Sequence, residues 1–306
     1  MILDGFETAS IRRAAEALRR GGVVVFPTET VYGLGADALN ATAVAKIFEI
    51  KRRPYFDPLI VHVVGRIDRY AYDGDSRIGK LTRAFWPGPL TLVLPKKPII
   101  PDLVTSGLDT IAVRAPDHPV AQRLIRALRR PIAAPSANLF GRLSPTTARH
   151  VELKVPIVLD GGPCRVGVES TVLSLVEPKA VLLRPGGVPV EDIERLIGPV
   201  KRGSDKIQSP GQLPQHYAPR TPLRPLSSKV PRGRIGLLAF RKPRVGFASV
   251  EVLSSSGDLR EAAANLFASM RALDSRRLDL IVFEKVPERG LGRAIMDRLR
   301  RASATL

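Results

Sequence analysis

Over its first two hundred residues this chain alternates short apolar runs with segments whose apolar residues recur every three to four positions. A layered α/β fold is the architecture that accommodates this pattern. Residues 10–20 put Ile11, Ala14, Ala15 and Leu18 on one stripe and stop at Gly21-Gly22, which reads as an amphipathic helix with a glycine stop. Residues 41–50 and 119–128 read as further helices, and 23–26, 59–64, 90–94, 110–114, 156–160, 171–176 and 180–183 as strands. The expected first unit, 1–200, is a mixed, twisted sheet with flanking helices. Residues 201–223 are rich in proline and turn formers and read as a linker. Beyond them, strands at 235–240 and 278–283 and helices at 259–273 and 291–301 predict a smaller α/β unit over 224–306.

The 306 residues suffice for two hydrophobic cores. No apolar run has the roughly 18–20 residues that a membrane-spanning helix needs, and the N-terminal stretch carries no basic segment followed by an apolar one, so no secretory signal is expected. The single cysteine, Cys164, excludes an internal disulfide and a cysteine-based zinc cluster; a cytoplasmic setting is the expectation. The net charge of +19 favours anionic partners, from nucleotides to RNA. Residues 1–200 hold 27 basic and 20 acidic side chains (net +7), and 201–306 hold 21 and 9 (net +12), so the excess lies mainly in the second unit.

Residues 22–35, GVVVFPTETVYGLG, run an apolar strand into a turn bearing a carboxylate, a tyrosine and several hydroxyls, the kind of loop on which α/β proteins place ligand-binding groups. Gly33-Leu-Gly35-Ala-Asp-Ala38 fits G-x-G-x-x-A, but positive φ or close backbone approach explains the glycines better than a dinucleotide site, and no P-loop motif occurs. Lys51, Arg52 and Arg53 close a helix, where they either complement its dipole or neutralise phosphate oxygens. His62 in an apolar strand reads as a core residue. Arg114 ends the strand 110–114, where it either makes a surface ion pair or holds a carboxylate. Ala133-Ala-Pro-Ser136-Ala-Asn138 lets small residues and a hydroxyl approach phosphate or sugar. Ser170 lacks a histidine in triad context and reads as a binding residue, and Cys164 as an apolar filler.

PTETVYGLG (27–35), KRRP (51–54), DPLIVH (57–62), WPGPLTLVL (86–94), LDTIAVRAP (108–116), PIAAPSAN (131–138), GVEST (167–171) and LLRPG (182–186) occur in that order. In this the chain resembles the YrdC/Sua5 threonylcarbamoyl-AMP synthases. SPGQLPQHYAP (209–219) and PERGLGRAIMDRLRRAS (287–303) are similar to the linker and closing segment of the longer Sua5 branch. The resemblance implies a YrdC-like sheet, a Rossmann-like second unit, and condensation of L-threonine, bicarbonate or CO2, and ATP to threonylcarbamoyl-adenylate and pyrophosphate. The product would serve a downstream transferase that makes N6-threonylcarbamoyladenosine at position 37 of tRNAs reading ANN codons.

By the same resemblance Thr30, His62, Arg114 and Ser170 surround threonine, with Arg114 on its carboxylate. Lys51, Arg53, Asp57, Thr110, the backbone of Ala134, Ser136, Ser144 and Arg184 hold ATP or the adenylate. Magnesium bridges the phosphates with few protein ligands, and His216 and Tyr217 fold over the site as a lid. The family often has Asn where Asp57 stands, and its linker is usually more basic before HYAP. Two rivals are an RNA-binding module without ATP turnover, against which the absence of aromatic stacking motifs counts, and a hydrogenase-maturation carbamoyltransferase, which would need zinc-finger cysteines.

Overall fold

A computed structural model of the chain describes residues 1–65, 67–203, 216–227 and 232–304. Strands β1 (Ile2–Asp4), β2 (Val24–Phe26), β3 (Gly33–Asp37), β4 (Ile60–His62), β5 (Leu90–Pro95), β6 (Thr110–Arg114), β7 (Ile132–Ala133), β8 (Val158–Asp160), β9 (Thr171–Ser174), β10 (Val181–Arg184) and β11 (Lys201–Arg202) form one mixed sheet. Its order is β1-β8-β2-β3-β7-β4-β6-β5-β9-β10-β11. Helices α1 (Thr8–Arg19), α2 (Ala41–Lys51), α3 (Ser76–Phe85), α4 (Asp102–Thr105), α5 (Pro119–Leu128) and α6 (Val190–Ile197) flank it. A separate four-stranded parallel sheet follows, β12 (Leu223–Pro225), β13 (Ile235–Ala239), β14 (Ser249–Val252) and β15 (Leu280–Phe283), in the order β12-β15-β13-β14. Helices α7 (Leu259–Asp274) and α8 (Gly292–Ser303) pack with it.

Local chemistry accounts for the helix starts. Asn40 accepts from the Ala43 amide to cap α2, and Asp258 accepts from Arg260 and Glu261 to cap α7. His118 accepts from the Val120 amide at the start of α5, with Pro119 at the first helical position, where a missing N–H costs nothing.

Where the structure departs from the sequence reading, pairing partners decide. Residues 33–37 are a strand, antiparallel to β2 with Val25 opposite Leu34. Their glycines lack β-propensity and hid it. Neither Gly33 nor Gly35 has positive φ. A Cβ on Gly35 would stand 2.7 Å from Phe26 and from Ile132, so the glycine is there for packing. Lys201–Arg202, read as linker, pairs in parallel with β10. The short edge strand β1 pairs with β8, 156 residues away in register. Helices α3 and α6 are additions to the sequence reading.

One apolar cluster unites the second unit with the first. Val31, Leu143 and Val168 share it with Leu266, Phe267 and Ile295. Gly167, with φ +73°, lies so close to α7 that a Cβ would be 2.4 Å from the Cα of Ala264. The second unit therefore rests on the loops that follow β2 and precede β9.

Candidate functional site

The six-residue loop between β2 and β3 is shaped by Thr28. Its Oγ1 donates to the Val31 carbonyl (2.7 Å) and accepts from the Thr30 and Val31 amides, a hydroxyl turn that needs no glycine. The loop meets one face of the sheet at a small cavity of ≈ 40 Å³. It is lined among others by Thr28, Thr30, Gly33, Arg53, Ile60, His62, Arg114, Ala134, Ser136, Glu169, Arg184, His216 and Tyr217. His62 and Arg114 are register partners at the ends of the parallel strands β4 and β6, where α/β sheets gather ligands. Arg184 ends β10.

Each buried guanidinium is held by the fold. Arg114 pairs with Glu29 (2.6 Å) and donates to Thr30 Oγ1 (3.0 Å). Arg53 pairs with Asp57 (2.8 Å) and donates to the Asp57 and Pro58 carbonyls. Arg184 donates to the Ser170 carbonyl (2.9 Å) and hydroxyl (3.3 Å). Three cations converge on one cavity, and each carboxylate nearby already has an arginine. His62 is uncharged: burial, then the neighbouring Arg114 charge, pushes its pKa down to about 3, and burial does the same to His216, also to about 3.

Of the residues expected from the sequence, Thr30, Arg53, His62, Arg114, Ala134, Ser136, Arg184, His216 and Tyr217 come together at the cavity. Five stand outside its lining. Lys51 is buried behind it, and its Nζ donates to the carbonyls of Ser136 (2.5 Å) and Asn138. Burial and the Arg53 charge lower its pKa well below the ordinary lysine value. Its observed contacts therefore hold the Ser136 loop. Asp57 is the ion-pair partner of Arg53, with burial pushing its carboxyl up against the attraction of that arginine. Ser144 donates to Glu169 Oε1 (2.5 Å), and Ser170 Oγ bonds Thr91 Oγ1 (2.8 Å) behind Arg184. Thr110 starts β6; alternation puts it on the same sheet face as Arg114, about 13 Å along the strand.

Sequence reasoning missed Thr28, Glu29, Glu169 and Arg298. Glu169 lines the cavity and accepts from Arg298 Nε (2.7 Å), a fully buried side chain of α8. No local signal connects residues so far apart. Burial pushes the Glu169 carboxyl up, but Arg298, Arg184 and the Ser144 hydroxyl outweigh it and hold its pKa down to about 2. Cys164 is buried, which raises its thiol pKa and leaves it an inert filler. No lining hydroxyl is hydrogen-bonded to a histidine among the described residues.

Buried guanidiniums, hydroxyls and a neutral imidazole on one cavity are groups with the chemistry to receive anions. The lining defines the class, an α/β protein with groups suited to phosphate and carboxylate. Family models agree and are more specific. One described as "Telomere recombination" (Sua5, YciO and YrdC) matches residues 16–186, and one described as "Threonylcarbamoyl-AMP synthase, C-terminal domain" matches 188–304. The threonylcarbamoyl-AMP synthase of Pyrococcus abyssi is 43% identical over 99% of this chain and 96% of its own length. That of Bacillus subtilis is 44% identical over 96% and 92%. The crystal structure of P. abyssi Sua5 complexed with L-threonine superposes with a TM-score of 0.93 at 41% identity, covering 99% of this chain and 98% of that one. The chain belongs to the Sua5-type threonylcarbamoyl-AMP synthase family, whose members are nucleotidyltransferases with a second, C-terminal unit.

Proposed function

We propose that this cavity condenses L-threonine, bicarbonate and ATP to threonylcarbamoyl-adenylate, for tRNA N6-threonylcarbamoylation by a downstream transferase. The observation that carries the reading is the convergence of Arg53, Arg114 and Arg184 with Thr30 and Ser136 on one cavity. Threonine's carboxylate takes Arg114, beside Thr30 and the neutral His62. The triphosphate takes Arg53, Arg184 and the Ser136 hydroxyl, with the nucleotide extended along the sheet face towards Thr110. Lys51, Asp57, Ser144 and Ser170 act behind these, fixing the loops and guanidiniums that touch substrate.

The chemistry follows from this arrangement. Threonine's amine forms a carbamate with CO2, bicarbonate giving up water on the way. A carbamate oxygen attacks the α-phosphorus, the bond to the bridging oxygen breaks, and pyrophosphate leaves with its electron pair. Positioning and charge neutralisation suffice for such a step. The neutral imidazole of His62 serves as a hydrogen-bonding group, not as a cation competing with Arg114.

Among the described residues no cluster of three histidine, cysteine or acidic side chains could hold a metal. Glu29, Asp57 and Glu169 each face an arginine. Magnesium would therefore enter as MgATP, held by phosphate oxygens and water, which suits its preference for few protein ligands.

The cavity is far smaller than the several hundred Å³ of a typical nucleotide-sized pocket. His216 and Tyr217 are buried against it, and residues 204–215 of the proposed lid lie outside the described residues. Entry of ATP would displace this pair, and its return would exclude water from the adenylate. The test is pyrophosphate release by the full chain given MgATP, L-threonine and bicarbonate, omitting each in turn. Release that needs all three is the expected result; no release alongside salt-sensitive RNA binding would favour the rival binding module.

A further inference from the structure

Arg298 is the largest fully buried side chain among the described residues, and it comes from α8 of the second unit. Three contacts define it. Its Nε donates to Glu169 Oε2 at 2.7 Å, its Nη1 to Asp297 Oδ2 at 2.6 Å, and its guanidinium carbon stands 4.9 Å from the Tyr217 ring centroid. Asp297 in turn accepts from Arg301 at 3.0 Å, so the guanidinium is anchored on its own helix before it reaches across. Both groups it touches on the other side, Glu169 and Tyr217, line the cavity.

We propose that Arg298 is a positioning residue for the adenylating site, supplied by the C-terminal unit, which holds the Glu169 carboxylate away from the phosphate-binding Arg184 and seats Tyr217. The inference rests on the synthase reading of the cavity. Glu169 precedes Ser170, whose carbonyl and hydroxyl carry Arg184. The charges acting on Glu169 are those of Arg298 and then Arg184. With Arg298 in place the carboxylate is directed by two fixed donors, Arg298 Nε and Ser144 Oγ. Without it, a buried carboxylate is left beside Arg184, and the attraction turns that arginine inward at the cost of the triphosphate. A fork-shaped, permanently charged guanidinium suits the task because it pairs with a carboxylate and stacks on an aromatic ring at once.

Truncating one partner of a buried ion pair also destabilises a fold, so the test separates position from stability. Dissociation constants for ATP by calorimetry, and KM and kcat for threonine-dependent pyrophosphate release, are measured on full-length parent, Arg298→Met, Arg298→Lys and the double variant Arg298→Met/Glu169→Gln. Thermal midpoints are recorded alongside. We expect Arg298→Met to weaken ATP binding and raise its KM at least tenfold, with kcat falling less. Arg298→Lys should lie between it and the parent. The double variant, lacking the stranded carboxylate, should recover most of the ATP affinity. The proposal is overturned if Arg298→Met lowers only the thermal midpoint, or if the double variant binds ATP as weakly as the single one. Should Arg298→Met not fold, a parent-like KM in Arg298→Lys, or a double variant that binds ATP far more weakly than the parent, overturns it equally. A parent protein that neither binds ATP nor releases pyrophosphate would instead remove the synthase reading.

Discussion

His62 and His216 carry the clearest residue-scale consequence. Both are buried with pKa values near 3, against an ordinary 6.5. As pH falls below 6.5 the unfolded chain takes a proton at each imidazole while the folded chain takes none until about 3, so stability falls with pH across that window. Between pH 6.5 and 5 each histidine accounts for up to about 2 kcal/mol. Glu169, held at about 2, adds stability that is fully present above the ordinary carboxyl range and lost as pH drops towards 2. Urea midpoints between pH 7 and 5 should fall steeply, and more shallowly in His62→Leu; equal slopes would mean the imidazole is solvated. Residue chemistry was legible where it sat in a short motif: Arg53, Arg114, Ser136 and Arg184 were named from sequence and meet at the cavity. Lys51 was named too, yet its ammonium faces two carbonyls inside the protein. Residue type and spacing give the charge of a side chain but not the direction in which the packed helix aims it.

At the scale of elements, the loop before β9 joins the two units. Gly167 has the left-handed backbone that glycine tolerates, and its missing side chain admits the backbone of α7. Gly167→Val should cost about 3 kcal/mol from overpacking and backbone strain, and should also weaken ATP binding, because Val168 and Glu169 follow directly. An unchanged urea midpoint would show that α7 does not press on this loop in solution. Long periodic segments such as α5 and strands such as β6 were readable to the residue, because periodicity and turn chemistry are local. The glycine-rich β3, the edge strand β1 and the two-residue β11 owe their existence to the strands they pair with. β3 lies between β2 and the distant β7, β1 on the distant β8 and β11 on β10, and propensity alone does not reveal them.

For the whole molecule the cavity is lined in part by His216 and Tyr217, and Tyr217 also belongs to the interface between units. Tyr217 is fully buried, stacks near Phe267 of α7 and faces Arg298, while the Ala218 amide donates to the Gly141 carbonyl at 2.7 Å. Opening for ATP would break that bond. Hydrogen exchange at residues 216–218 should therefore change when ATP and threonine are added to the full chain; unchanged protection would count against a moving lid. Among the described residues no helix is long and apolar enough to cross a membrane.

From the order of residues alone came the α/β class, two units, the family likeness and the cations of the site, since these depend on periodicity, composition and contiguous motifs. Only the folded chain decided which groups line the cavity and which stand behind them. Glu169 meets Arg298 across 129 residues, and Glu29 meets Arg114 across 85. Such pairs form because packing removes water from both charges at once, and no local signal in the sequence records which distant partner compensates that loss.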